Sequence, residues 1–248
     1  MYNFKKAFLV VALVALVTIA AAQPPQSPLS DKRLTVHTLL REDIFAGFMV
    51  DDMTRFERGE KNIDTLLELR PEQKGNLLAW KGGATLYRAV KAHENNQPAE
   101  FKKLYQKSLD LFAEAAKSPG NDGVAPITGG SFGVFADRLP KEYQATGWQT
   151  AYDNYQVLYK LQGGIVDKLP VHLKGELLAG VAQSAQRTGR KEEAAQAIDK
   201  MLTFLAGTPY EPVAKKWKAD PSSASSSSLT CMTCHDSGRL AVRMSDLK

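Results

Sequence analysis

The 248-residue sequence holds only two cysteines and four histidines. Two cysteines exclude a disulfide framework and leave one possible pair. There is no run of like charge: 32 basic residues are interspersed with 27 acidic ones, for a net charge of +5. So mild an excess, with no basic stripe, argues against nucleic acid as a partner. G-x-S-x-G, H-E-x-x-H and a Walker-type glycine loop are absent, which removes three common catalytic signatures. Convincing period-two alternation is also missing, so strands are not expected. A single long apolar run occurs, at the N-terminus, and nothing after it is long and apolar enough to span a bilayer.

That N-terminal stretch, MYNFKKAFLVVALVALVTIAAAQPPQ, has a basic start at Lys5 and Lys6 and an apolar run from Ala7 to about Ala20. Ala20, Ala21 and Ala22 supply small residues, and Gln23-Pro24-Pro25 breaks a helix beyond them. The pattern is that of a secretory signal peptide, residues 1–22, with cleavage expected after Ala22. The alternative is an uncleaved membrane anchor, for which the run is short. Cleavage would leave no stable membrane span and place the protein in the periplasm or otherwise outside the cytoplasm. With no cysteine near the cut, a lipoprotein is excluded.

From residue 33 to 218 the pattern is helical almost throughout, and an all-α fold is expected. Leu40, Ile44, Phe48 and Met53 follow helical spacing in a first helix over 39–59 that Gly59 would end. A short second helix stops before Pro71, and further helices fall over 75–94, 98–118, 141–164, 171–189, 190–207 and 211–218. The 22 residues between Pro119 and Pro140 contain five glycines and are expected to be a loop, with Phe132 and Phe135 placed to cover something apolar.

The helices come in pairs with short turns. In residues 178–202, LAGVAQSAQRTGRKEEAAQAIDKML, Gly189 supplies the turn, Ala194 permits close approach, and Ile198 and Met201 fill the seam. This pair resembles a tetratricopeptide (TPR) repeat, with Pro209 matching the closing proline of that family slightly late. Residues 105–119, with Phe112, Ala115 and Pro119, resemble the second helix of another repeat, and residues 59–71 do so more weakly. The resemblance implies a TPR-like antiparallel helix-pair array stacked around a continuous core, with an extended surface for docking a partner protein. A plain antiparallel bundle is the alternative.

Asp220-Pro221 closes the helical pattern, and SSASSSS follows. Residues 219–229 are expected to be a Ser-rich linker. Beyond it, in residues 230–248, stands C-M-T-C-H: Cys231, Cys234 and His235, containing both cysteines of the chain. C-x-x-C-H is the attachment signature of c-type haem. Two thiols two residues apart reach the two vinyl groups along one porphyrin edge, and the adjacent histidine lies under the iron as proximal ligand. Cys231 and Cys234 would form the thioether bonds and His235 would ligate the iron. Export agrees with this independently, since such sites mature outside the bacterial cytoplasm. A redox-active C-x-x-C pair and a zinc site are the weaker rivals.

The chain resembles mono-haem cytochrome c domains at this motif only; in its whole layout it resembles exported bacterial cytochrome c-like proteins that end in a lone haem motif. Thirteen residues follow His235, and Met244 is the one downstream candidate for a distal ligand. Because GRLAVRMSDLK has a helical pattern, Met244 is better suited to packing than to ligation. His37, His93 and His172 are the other candidates within the chain. Arg239 and Arg243, four apart, suit haem propionates. The function expected is electron transfer with a redox partner. The alternatives are a non-redox scaffold or assembly protein and a five-coordinate haem sensor or enzyme.

Overall fold

The computed structural model describes residues 28–225, and these are all-α. Nine α-helices follow in order: α1 (Val36–Val50), α2 (Met53–Leu69), α3 (Lys74–Glu94), α4 (Pro98–Ala115), α5 (Val124–Phe135), α6 (Lys141–Gln162), α7 (Val171–Arg187), α8 (Lys191–Phe204) and α9 (Glu211–Ala219). Short 3-10 turns stand at Pro71–Gln73, Ala136–Arg138, Gly163–Lys168 and Pro221–Ser225. Consecutive helices pack on one another, α5 also lies against α3 and α7, and among the described residues none is long and apolar enough to cross a membrane.

The first expected helix is in fact two. Thr35 caps α1 by accepting the Thr38 N–H at 3.2 Å. Asp51 ends it in the left-handed region (φ 58°), and Asp52 caps α2 by accepting the Arg55 N–H at 3.1 Å. Aspartate is among the few side chains that tolerate that conformation, so Asp51-Asp52 punctuates where no glycine or proline does. Gly59 ends nothing. It lies inside α2, where an added Cβ would come within 2.9 Å of Ile44 Cδ1, so its role is the close crossing of α1. The stop before Pro71 holds, since α2 ends at Leu69.

The expected loop at 119–140 is the largest departure. Its middle is α5, with Phe132 and Phe135 completely buried. Phe135 meets Phe48 edge-on at 4.7 Å and stacks on Tyr87 at 5.5 Å. Each glycine weakens a helix by about 1 kcal/mol, but burying two phenylalanines returns about 1.5–3 kcal/mol apiece. Gly129 also faces α6, where an added Cβ would stand 3.3 Å from Asn154 Cβ, a tight contact.

Two apolar clusters result. The first joins α1–α5 with the first half of α6, and is rich in aromatic rings. The second runs from Tyr155 to Ala224, through α7, α8 and α9. In the α7–α8 hairpin, Gly189 takes a positive φ of 79° at the turn and Ala194, Ile198 and Met201 are buried, as their spacing requires.

The helical body also ends later than expected. Pro221–Ser225 forms a turn packed on α7 and α9, and Ala224 is fully buried in the second cluster. The first part of the expected 219–229 linker is therefore part of the body.

Candidate functional site

The polar groups that stand out against this apolar body gather where the starts of α1, α3 and α5 meet. Gly75 and Asn76 open α3, and their N–H groups donate to the carbonyls of Pro119 and Gly120, both at 2.7 Å. Gly120 holds a positive φ of 62° there, so the turn ahead of α5 is fixed to the start of α3. The Asn76 amide completes the attachment: it donates to Asp122 Oδ1 at 2.7 Å and accepts the Gly123 N–H at 2.8 Å.

His37, in the first turn of α1, lies against this turn. Its Nδ1 accepts the Trp80 indole N–H at 3.0 Å, so the neutral ring carries its proton on Nε2. The Cε1–Nε2 edge faces Gly123, where an added Cβ would stand 2.5 Å from Cε1 and 2.7 Å from Nε2. Burial lowers the His37 pKa, Asp122 opposes that shift, and Arg41, one turn further along α1, adds to it. His37 is thus a neutral imidazole at neutral pH.

Arg41 also acts on α7. Burial raises the pKa of Glu176, while the positive fields of His172 and Arg41 pull it back. His172 Nε2 lies 3.7 Å from Glu176 Oε2, one turn away. Two opposite perturbations, a histidine held neutral and a carboxyl pushed toward its neutral form, share one guanidinium.

As for the residues expected from sequence, His37 and His172 both fall in the field of Arg41. The Nδ1 of His37 is taken by Trp80 and its Nε2 edge abuts Gly123, while the Nε2 of His172 lies 3.7 Å from Glu176 Oε2. His93, in the last turn of α3, packs its ring 5.8 Å from Phe101. Among the described residues no three His, Cys, Asp or Glu side chains come together to hold a metal ion. Cys231, Cys234, His235, Arg239, Arg243 and Met244 lie outside the described residues, as does the cut expected after Ala22.

Sequence reasoning missed Arg41, Asn76, Asp122 and Glu176. Only the His172–Glu176 pair carries a local signal, its spacing of four. A second polar feature is a groove of about 280 Å³ between α2, α3 and α4. It is lined by ion pairs, Lys81 to Asp64 at 2.7 Å and Arg88 to Glu60 at 2.5 Å. Compared with known proteins, the chain matches no family model, no curated protein and no solved structure.

Proposed function

We propose that this chain is an exported c-type haem protein that carries electrons in the periplasm, with a TPR-like helical body that docks its redox partner. The observation that carries the reading is C-M-T-C-H at 231–235, which contains the only cysteines of the chain. Cys231 and Cys234 would hold the porphyrin through thioether bonds, and His235 would ligate the iron. The bound group would supply one-electron redox chemistry that no protein side chain here provides. The basic-apolar-small leader supports export.

The fold adds a limit on reach. Ser225, in the turn packed on α7 and α9, is the last residue that the structure describes, and five residues, 226–230, separate it from Cys231. Even fully extended, six residue steps span only about 20 Å. The attachment site is therefore kept beside α7 and α9, on which the 221–225 turn packs. A partner docked on the helical body would meet the haem within that radius. His37 offers no lone pair, since its Nδ1 accepts from Trp80 and its Nε2 carries the proton, which leaves a sixth position that is open or filled by Met244, His172 or the partner.

The test is a haem stain on a denaturing gel, with the chain expressed through its own leader in a host that matures c-type cytochromes. Stain in the wild type and none in a Cys231→Ser, Cys234→Ser variant is the expected result. Two blank lanes would leave a non-redox helical scaffold. Given a stain, a low-spin six-coordinate spectrum fits electron transfer, whereas a five-coordinate spectrum that shifts with carbon monoxide points to a sensor or enzyme.

A further inference from the structure

Among the described residues seven large apolar side chains are exposed, and five of them fall within residues 157–173. Val157 and Leu161, one turn apart in the last part of α6, are 48% and 73% exposed. Ile165, in the 3-10 turn that follows, is 47% exposed, and Val171 and Leu173, in the first turn of α7, are 45% and 42% exposed. All five lie in the last part of α6, the turn that follows it and the start of α7. Scattered exposed leucines need no explanation, but such a concentration marks a surface that binds something.

We infer that this hairpin end is the docking surface for the protein's own C-terminal segment, residues 236–248. Three observations select that occupant. The chain is attached next door, because the 221–225 turn packs on α7 and buries Ala224. The length suffices: α7 has 17 residues and is about 25 Å long, whereas fifteen residues separate Ser225 from Leu240 and span about 50 Å when extended. The segment also carries a matching surface, with Leu240, Met244 and Leu247 at positions i, i+4 and i+7, one stripe of a helix. An isolated helix of that length is not stable in water and forms only against a partner. Lys160, Asp167 and Lys168 give the hairpin end charges of both signs, so no single-signed field favours an anionic lipid surface.

Docking would fix C-M-T-C-H between two anchors, the 221–225 turn and the 240–247 stripe, rather than leave it on one tether. This goes beyond the haem reading and does not depend on it, since the contacts are apolar.

Hydrogen exchange of the full exported chain tests the proposal. In the wild type, the peptide covering 236–248 should exchange about tenfold or more slowly than in a Leu161→Asp, Leu173→Asp variant. Reciprocally, Leu240→Ser, Leu247→Ser should speed exchange in the peptide covering 161–173. The replaced hairpin residues are exposed, so the body should keep its circular dichroism. The protection should persist in the Cys231→Ser, Cys234→Ser chain, which separates this inference from the haem reading. Equal exchange in the wild type and in the Leu161→Asp, Leu173→Asp and Leu240→Ser, Leu247→Ser variants would overturn it. So would protection that appears only with anionic vesicles, or that grows with protein concentration and so reports a dimer.

Discussion

The two apolar clusters solve the same problem by opposite means. In the first, rings interlock: Phe48 contacts Phe45 at 5.3 Å, Tyr87 at 5.3 Å and Phe135 at 4.7 Å, and Phe56 meets Tyr87 at 5.0 Å. In the second, the helices themselves come close. Ala179, Ala182, Ala185 and Ala194 are fully buried along the α7–α8 seam, and two glycines of α7 seat tyrosine rings, Gly180 under Tyr155 and Gly175 under Tyr210. A cluster of rings is vulnerable to loss of volume, whereas a seam of small residues is vulnerable to its gain. Their acid–base behaviour differs as well. In the first half burial lowers the pKa of His37; in the second half it raises that of Glu176.

The largest expected effect is in the ring cluster. Phe135→Ala should cost about 3–5 kcal/mol in denaturant melts, with a shifted midpoint. Gly180→Leu should follow at about 1–3 kcal/mol, because α7 must move away from Tyr155. If Gly180→Leu were neutral, the small-residue account of the second cluster would fail. Next is a pair of slopes with opposite sign. His37 has a lowered folded pKa, so its contribution is present above the unfolded value near 6.5 and is lost as pH falls through the folded one. Glu176 has a raised folded pKa, so its contribution is present below the unfolded value near 4.5 and is lost as pH rises through the folded one. Melting temperatures measured from pH 4 to 8 should therefore lose a rising component in His37→Gln and a falling one in Glu176→Gln. Two variants with the same change of slope would contradict the assignment. The smallest effect is expected in the polar groove, where Lys81→Ala removes a partly exposed pair with Asp64 and should cost about 0–1 kcal/mol.

The all-helical fold could be read from sequence, and the α7–α8 hairpin almost residue by residue, because its turn and its seam lie within one short window. Three features could not. Helix α5 was hidden by its glycines, although Val124, Ile127, Thr128, Ser131, Phe132 and Phe135 keep helical spacing and are all buried; what outweighs their propensity is burial against distant helices. The break at Asp51 depends partly on contacts from α3, since the Tyr87 hydroxyl and Lys91 both bind its carboxylate and lower its pKa. Among the described residues of SSASSSS, 222–225, the fully buried one is Ala224, the one that is not serine; composition averages over that single side chain. Of the candidate site, the histidines were visible as residue types, but the Trp80 bond that sets the tautomer of His37 spans 43 residues and has no local signature.

The buried Ala224 has a consequence for the order of events in biogenesis. The described part of the two clusters ends at Ala224, ahead of Cys231 in the chain. If the chain is exported from its N-terminus, as proposed above, these helices emerge before the two thiols do.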